Sequence, residues 1–262
     1  MGRPAALRFE GDRARALEAI YLTPDIVAQR ETVLEALDPR PGERVLDLGV
    51  GPGLLAAAIA GRVGPGGSVH GVDLSADMLA IAGARQHVTG AAPITLAQGA
   101  VSALEAPDGS FDAAVCTQVY EYVADVPAAL AEARRVLRPG GRLVILDTDW
   151  DSIVWRSSDD ARMARVLDAW DAHLVHRALP RILPEHLAAA GFEGTVVSVV
   201  PLLNVGGDPR TYSGGMRHLI AEFVTGHGIG HAEIAGWLSD LEELAERSFF
   251  SLNRYLFRAV RP

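Results

Sequence analysis

Glycines cluster at one place in the chain. Gly49-Val50-Gly51-Pro52-Gly53 separates a short β-rich run, Arg44-Val45-Leu46-Asp47-Leu48, from an apolar stretch of helical character, Leu54 to Val63. Glycine accepts positive φ and brings backbone close to a ligand, and a helix beginning there aims free N–H groups outward. A dinucleotide fold would place its third glycine one residue later, where Leu54 stands, which weakens an NAD reading. Asp73 lies about twenty residues beyond Gly51, at the expected end of the next strand, where a carboxylate can accept both ribose hydroxyls of an adenosine ligand. The same charge repels the 2′-phosphate of NADP. A tight βα connection and a capping strand-end acid are the plainer alternatives for these two features.

Further candidates follow the later strands. Tyr120-Glu121-Tyr122 comes just after an expected fourth strand, where ligands of such sheets sit. Tyr120 could contact an acceptor or simply form wall, and Glu121 could act as a base or as a helix-start acid. Asp147-Thr148-Asp149-Trp150-Asp151 leaves a fifth strand. A calcium loop would need glycine and glutamate where Ser152 and Ser158 stand, so Asp149 and Trp150 are read as acceptor wall, against loop capping and packing. His173 and His176 lie three apart on an expected helix, and His227 and His231 four apart. Neither pair has a third ligand at motif spacing, so no metal is expected. His173 as a base competes with a half-exposed helix histidine, and Tyr21 as part of a closing lid competes with ordinary packing.

These groups need a scaffold. Residues 44–149 alternate short apolar runs with helical stretches, the pattern of βαβ units and a parallel sheet. Strands are expected at 44–48, 68–73, 94–98, 111–116 and 142–147. The run Leu143 to Leu146 is continuously apolar, as in strands covered on both faces. Helices are expected at 54–63, 76–87 and 127–137, the second capped by Ser75. Beyond residue 150 the periodicity changes: helices at 159–176, 184–190 and 231–247, strands at 195–200 and 249–260, and a mixed segment at 209–225. Thr23-Pro24 opens an amphipathic helix ahead of the first strand.

Composition narrows the class. With 262 residues, 49% of them apolar, the chain can bury an ordinary core. Its net charge of −9, with no lysine, argues against nucleic acid as partner. The single cysteine, Cys116, cannot form an internal disulfide, which suits the cytoplasm. Neither a signal peptide nor a membrane span is expected.

Four segments together resemble one family. Residues 43–53, Glu-Arg-Val-Leu-Asp-Leu-Gly-Val-Gly-Pro-Gly, are similar to the first motif of class I S-adenosylmethionine-dependent methyltransferases, and residues 71–79, Gly-Val-Asp-Leu-Ser-Ala-Asp-Met-Leu, to the second. Residues 110–115 and 137–143 resemble the fourth- and fifth-strand segments, in order and at the family's spacing. The nearest branch is the small-molecule group with the quinone-biosynthesis and arsenite methyltransferases, although a single cysteine does not suit arsenite. The resemblance implies an α/β fold: a Rossmann-like, seven-stranded, mostly parallel sheet between helices, with added N-terminal helices and a helical insertion after strand five. It divides one compact domain into a helical lid (1–42), an S-adenosylmethionine-binding core (43–149) and a remainder carrying acceptor-binding insertions (150–262).

The resemblance also implies roles. Asp47 would organise the glycine loop near the methionine amino group, with Gly49, Gly51 and Gly53 forming that loop. Asp73 would hold the ribose, Leu74 and Met78 would flank the adenine, and Thr117 and Gln118 would sit beside the methionine tail. Many relatives carry Gly-Asp-Ala after strand three, whereas this chain reads Gly99-Ala100-Val101, so adenine recognition would rest on backbone and packing. The expected activity is in-line methyl transfer from S-adenosyl-L-methionine to a small organic metabolite, leaving S-adenosyl-L-homocysteine. Tyr21, Tyr120, Trp150 and His173 would face the acceptor, and Tyr120, Glu121, Asp149 and His173 are the catalytic candidates. The alternatives are a non-methylating step such as cyclisation on the same fold, or a cofactor-binding scaffold. A homodimer through the extra helices would fit.

Overall fold

The computed structural model describes residues 11–85 and 89–262. Residues 1–10 of the expected lid, and the expected helix end at His87, lie outside them. Seven strands form one sheet in the order β3-β2-β1-β4-β5-β7-β6. Strands β1 (Arg44–Leu48), β2 (Ser68–Asp73), β3 (Ile94–Gln98), β4 (Phe111–Thr117) and β5 (Leu137–Trp155) pair in parallel. Strand β7 (Phe249–Val260) runs antiparallel between β5 and the edge strand β6 (Glu193–Val205). The expected seven-stranded, mostly parallel Rossmann-like sheet is what the chain forms.

Period-two alternation explains how the sheet is covered on both sides. In β1, Val45 packs with the helices α2 (Pro24–Leu37) and α3 (Leu54–Val63), while Leu46 and Leu48 face α5 (Val126–Val136) and α7 (Leu183–Ala189). Helix starts follow local chemistry. Pro24 occupies the first turn of α2, where a missing N–H costs nothing. The Ser75 hydroxyl accepts from the Met78 N–H to open α4 (Ala76–Ala84), and Asp125 accepts from Ala128 to open α5.

A third apolar cluster lies beyond the carboxyl edge of the sheet. It joins α1 (Asp12–Tyr21), α6 (Asp160–Trp170), α8 (Tyr212–Thr225) and α9 (His231–Leu244) around the buried Trp150, Trp170 and Trp237. Two expectations change here. Strand five does not end at Asp147 but continues to Trp155, because β7 is long enough to keep pairing with it across a register shift after Asp149. Helix α6 stops at Trp170 rather than 176, so His173 sits in a 3-10 turn and His176 in a loop. The helix expected at 231–247 is α9, and the mixed segment before it forms α8, both between β6 and β7. Among the described residues no helix is long and apolar enough to cross a membrane.

Candidate active site

In a sheet of this order the strand order reverses between the parallel neighbours β1 and β4, and ligands bind beyond the carboxyl ends there. A cavity of about 770 Å³ opens at that place. One half is built by the turns after β1 to β4: Gly49 to Pro52, Asp73 to Met78, Gln98, Gly99, Val101, Thr117 and Gln118 all line it. Two carboxylate contacts organise this half. Asp73 accepts from the Gly51 N–H at 2.8 Å with one oxygen and from the Ser75 N–H at 2.9 Å with the other. The N–H groups of the loop itself are engaged. Gly49 and Val50 both donate to the Val72 carbonyl, Gly51 to Asp73 and Gly53 to the Val50 carbonyl.

What the loop supplies is close approach. Gly51 has φ +50° and nothing within 4 Å of where a Cβ would stand, leaving a cradle open to the cavity. Gly49, at φ +73°, is forced by packing, since a Cβ would lie 2.2 Å from the Val119 side chain. Gly53 caps α3 and packs on Ala82 without reaching the cavity. Below the loop, Asp47 is buried with neither carboxylate oxygen hydrogen-bonded. Burial, reinforced by the charge of Asp73, pushes its pKa up to about 7. A buried acid without a donor, beside an open glycine cradle, fits a ligand that brings a cationic or N–H group. Gln118 takes φ +57° to turn the chain after β4 and is fixed there by Thr148, whose hydroxyl donates to its Oε1 at 2.5 Å.

The other half of the cavity is apolar and aromatic. Leu17 and Tyr21 from α1, Ile26, Gln29 and Val33 from α2, Tyr122, His173, Val175 and Arg254 line it. Helix α1 is fastened over the opening by Arg85, which pairs with Glu18 and donates to the Pro52 carbonyl at 2.7 Å. His173 is 2% exposed and boxed by Tyr122, Trp150, Trp170 and Phe223. Its Nδ1 donates to the Trp170 carbonyl, so the ring is a neutral tautomer whose Nε2 carries a lone pair with no hydrogen-bond partner. Burial drives its pKa down to about 4.

The family model described as a methyltransferase domain matches residues 46–145, the segment that forms the first half of this site. Residues 46–145 therefore carry a methyltransferase domain. A Streptomyces fradiae protein of transposon TN4556, uncharacterised and of 37.1 kDa, is 37% identical over 78% of this chain and 59% of its own length. The nocamycin O-methyltransferase of Saccharothrix syringae is 40% identical over 45% of this chain and 41% of its own. The chain thus spans about half the length of the curated relatives it matches. Among solved structures, the Haemonchus contortus phosphoethanolamine N-methyltransferase 2, bound to phosphomonomethylethanolamine and S-adenosylhomocysteine, superposes with TM-score 0.63. That match is 23% identical and covers 96% of this chain and 57% of the other.

Several expected site residues lie outside the cavity. Tyr120 is fully buried in the core beneath α5, so it is neither acceptor wall nor base. Glu121 is also buried; its carboxylate accepts from the Trp150 indole N–H at 3.0 Å, and burial raises its pKa to about 7. Trp150 therefore braces Glu121 and stacks edge-on against His173 instead of facing the cavity. Asp149 is held by Arg181 through two bonds of 3.0 Å, which makes it part of an ion pair and not a base. Ala100 does not reach the cavity, but its neighbours Gly99 and Val101 do. Of the Tyr120-Glu121-Tyr122 run only Tyr122 lines the site, and Gln29, Gln98 and Arg254 line it without having been expected there. Arg254 carried a signal: it stands in the inward register Phe250, Leu252, Arg254, Leu256 of β7, where the pattern asks for an apolar residue.

Proposed function

We propose that the chain is an S-adenosylmethionine-dependent methyltransferase acting on a small organic metabolite in the cytoplasm, with its acceptor in the aromatic half of the cavity. The observation that carries this reading is the single cavity in which the glycine cradle and Asp73 adjoin a chamber lined by His173, whose buried Nε2 has no hydrogen-bond partner. The cofactor, when bound, supplies a methyl group on a sulfonium leaving group. Asp73 would hold the ribose, with lone pairs left over after its two backbone contacts. Asp47 would face the methionine amino group, Leu74 and Met78 would flank the adenine, and Gln98 to Val101 would border it.

The remaining work falls to positioning and water exclusion. Leu17 and Tyr21 roof the chamber, and Ile26, Val33 and Val175 keep it dry. His173 would accept the proton of an acceptor hydroxyl at Nε2. A pKa near 4 is adequate for this, because an oxygen that has just gained a methyl group is a far stronger acid than that imidazolium. The neutral tautomer is already set by the Trp170 carbonyl, so the lone pair is available across the physiological range.

The test uses purified protein, methyl-labelled S-adenosylmethionine and a panel of phenolic, enolic and alcoholic metabolites, with calorimetry of S-adenosylhomocysteine binding alongside. The reading expects cofactor binding and label in one oxygen-methylated product. Failure to bind the cofactor overturns it.

A further inference from the structure

Two arginines of the described chain are buried, and they differ in company. Arg142 is gripped by Glu43 through bonds of 2.6 and 2.8 Å and by the backbone carbonyls of Leu37 and Asp38. Arg254, only 2% exposed, forms no ion pair within 4.0 Å with any described carboxylate. Its partners are neutral: Nη1 donates to Gln29 Oε1 at 2.5 Å, Nε donates to Thr148 Oγ1 at 3.3 Å, and the guanidinium lies 4.6 Å from the centre of the Tyr212 ring. Gln29 and Thr148 take two of the five N–H groups of a guanidinium, and the Tyr212 hydroxyl lies near a third. The rest is left for something in the cavity that Arg254 lines.

A buried charge without a counter-charge is costly, and guanidinium is the side chain that reads planar two-oxygen anions. The titratable groups facing it form no ion pair with it. Tyr21 from α1, Tyr212 from α8 and Tyr122 are phenols whose ionisation burial opposes. Burial pushes Glu121 and Asp147 upward and the Arg254 charge draws both back down, but neither carboxylate comes within 4.0 Å of the guanidinium, and Glu121 accepts from Trp150.

We propose that the acceptor is a small organic carboxylate, held by its carboxylate on the free edge of Arg254 while the rest of the molecule fills the aromatic chamber towards His173. This inference rests on the methyltransferase reading for the use of the site, but not for the anion site itself. It also accounts for the neutral amide at Gln29, which orients the guanidinium without neutralising it. Arg30, on α2, lines the same cavity and donates to the Tyr21 carbonyl at 2.6 Å.

The experiment titrates S-adenosylhomocysteine-loaded protein with acetate, benzoate and 4-hydroxybenzoate, each beside its neutral amide. The expected result is at least tenfold tighter binding of one or more carboxylates over the amide. That preference should vanish in Arg254→Gln and survive in part in Arg254→Lys, with S-adenosylhomocysteine affinity unchanged within about twofold in both variants. Equal binding of acid and amide, or binding of no carboxylate at all, overturns the proposal. So does loss of S-adenosylhomocysteine affinity in folded Arg254→Gln, which would assign Arg254 to the cofactor. If Arg254→Gln fails to fold, Gln29→Glu provides the second arm: a counter-charge placed on Nη1 should abolish the carboxylate preference, and its persistence overturns the proposal. Failure of wild-type protein to bind S-adenosylhomocysteine would instead count against the methyltransferase reading.

Discussion

Replacing Asp73 by alanine separates two jobs that one carboxylate performs. Its oxygens each accept one backbone N–H, from Gly51 at 2.8 Å and Ser75 at 2.9 Å, and each retains a lone pair on the cavity side. Removing a charged acceptor from two ligand hydroxyls costs about 1–3 kcal/mol of binding, or roughly 5- to 150-fold in dissociation constant. The backbone donors are half-exposed and regain water, so the loss of fold stability should be smaller, a Tm decrease of a few degrees for a chain of this size. Calorimetric titration with S-adenosylhomocysteine reads the first effect and scanning calorimetry the second. Asp73→Asn keeps one acceptor oxygen and should fall between alanine and wild type. A lowered Tm with unchanged affinity would show that Asp73 only braces the glycine loop, and the ribose assignment would be lost.

His173→Phe keeps the aromatic box but removes Nε2, and transfer to a hydroxyl acceptor should fall by about 10²- to 10⁴-fold in single turnover with cofactor affinity unchanged. The same residue marks the pH dependence of stability. Its folded pKa of about 4 lies below the ordinary histidine value of 6.5, so the unfolded chain binds the proton first. Stability is complete above pH 6.5 and declines as pH falls towards 4, by roughly 3 kcal/mol; urea titrations of His173→Phe should lack that decline. Asp47 has the opposite sign. Its folded pKa of about 7 exceeds 3.8, so stability falls as pH rises from about 4 to 7. Asp47→Asn should therefore stabilise the free protein at pH 8, by up to roughly 4 kcal/mol, while weakening cofactor binding; a variant neutral in both would refute the role. Gly49→Ala puts a Cβ 2.2 Å from Val119 at φ +73° and should cost about 2–4 kcal/mol in denaturant titration. Adding Val119→Ala should recover the overlap but not the strain.

The core of the fold was legible because its signals are local. The glycine turn, Asp73, the Ser75 cap and the apolar alternation of β1 and β4 each lie within a few residues of the element they specify, and all stand where the spacing placed them. The misreadings involve partners distant in the chain. Strand β5 outlasts Asp147 because β7, about a hundred residues on, offers Asn253, Ser251 and Phe250 as pairing partners. Helix α6 ends early because the His173 imidazole turns back to the Trp170 carbonyl, a side-chain choice that helical periodicity does not register. Asp149 read as a site acid because its counter-ion, Arg181, lies 32 residues away.

The acceptor half of the site was hidden for a related reason. Gln29 and Arg254 are 225 residues apart and meet only because α2 crosses the sheet near β7, so neither has a motif to announce it. A weaker signal was available in β7 itself. Alternation assigns Phe250, Leu252 and Leu256 to the interior, and Arg254 shares their face. A charged residue in an apolar register must be paired, expelled or put to use. Expulsion is excluded by its burial, and its direct partners are a neutral amide and a hydroxyl, with no carboxylate within 4.0 Å, so the position has the marks of a functional residue whose counter-charge arrives from outside the chain.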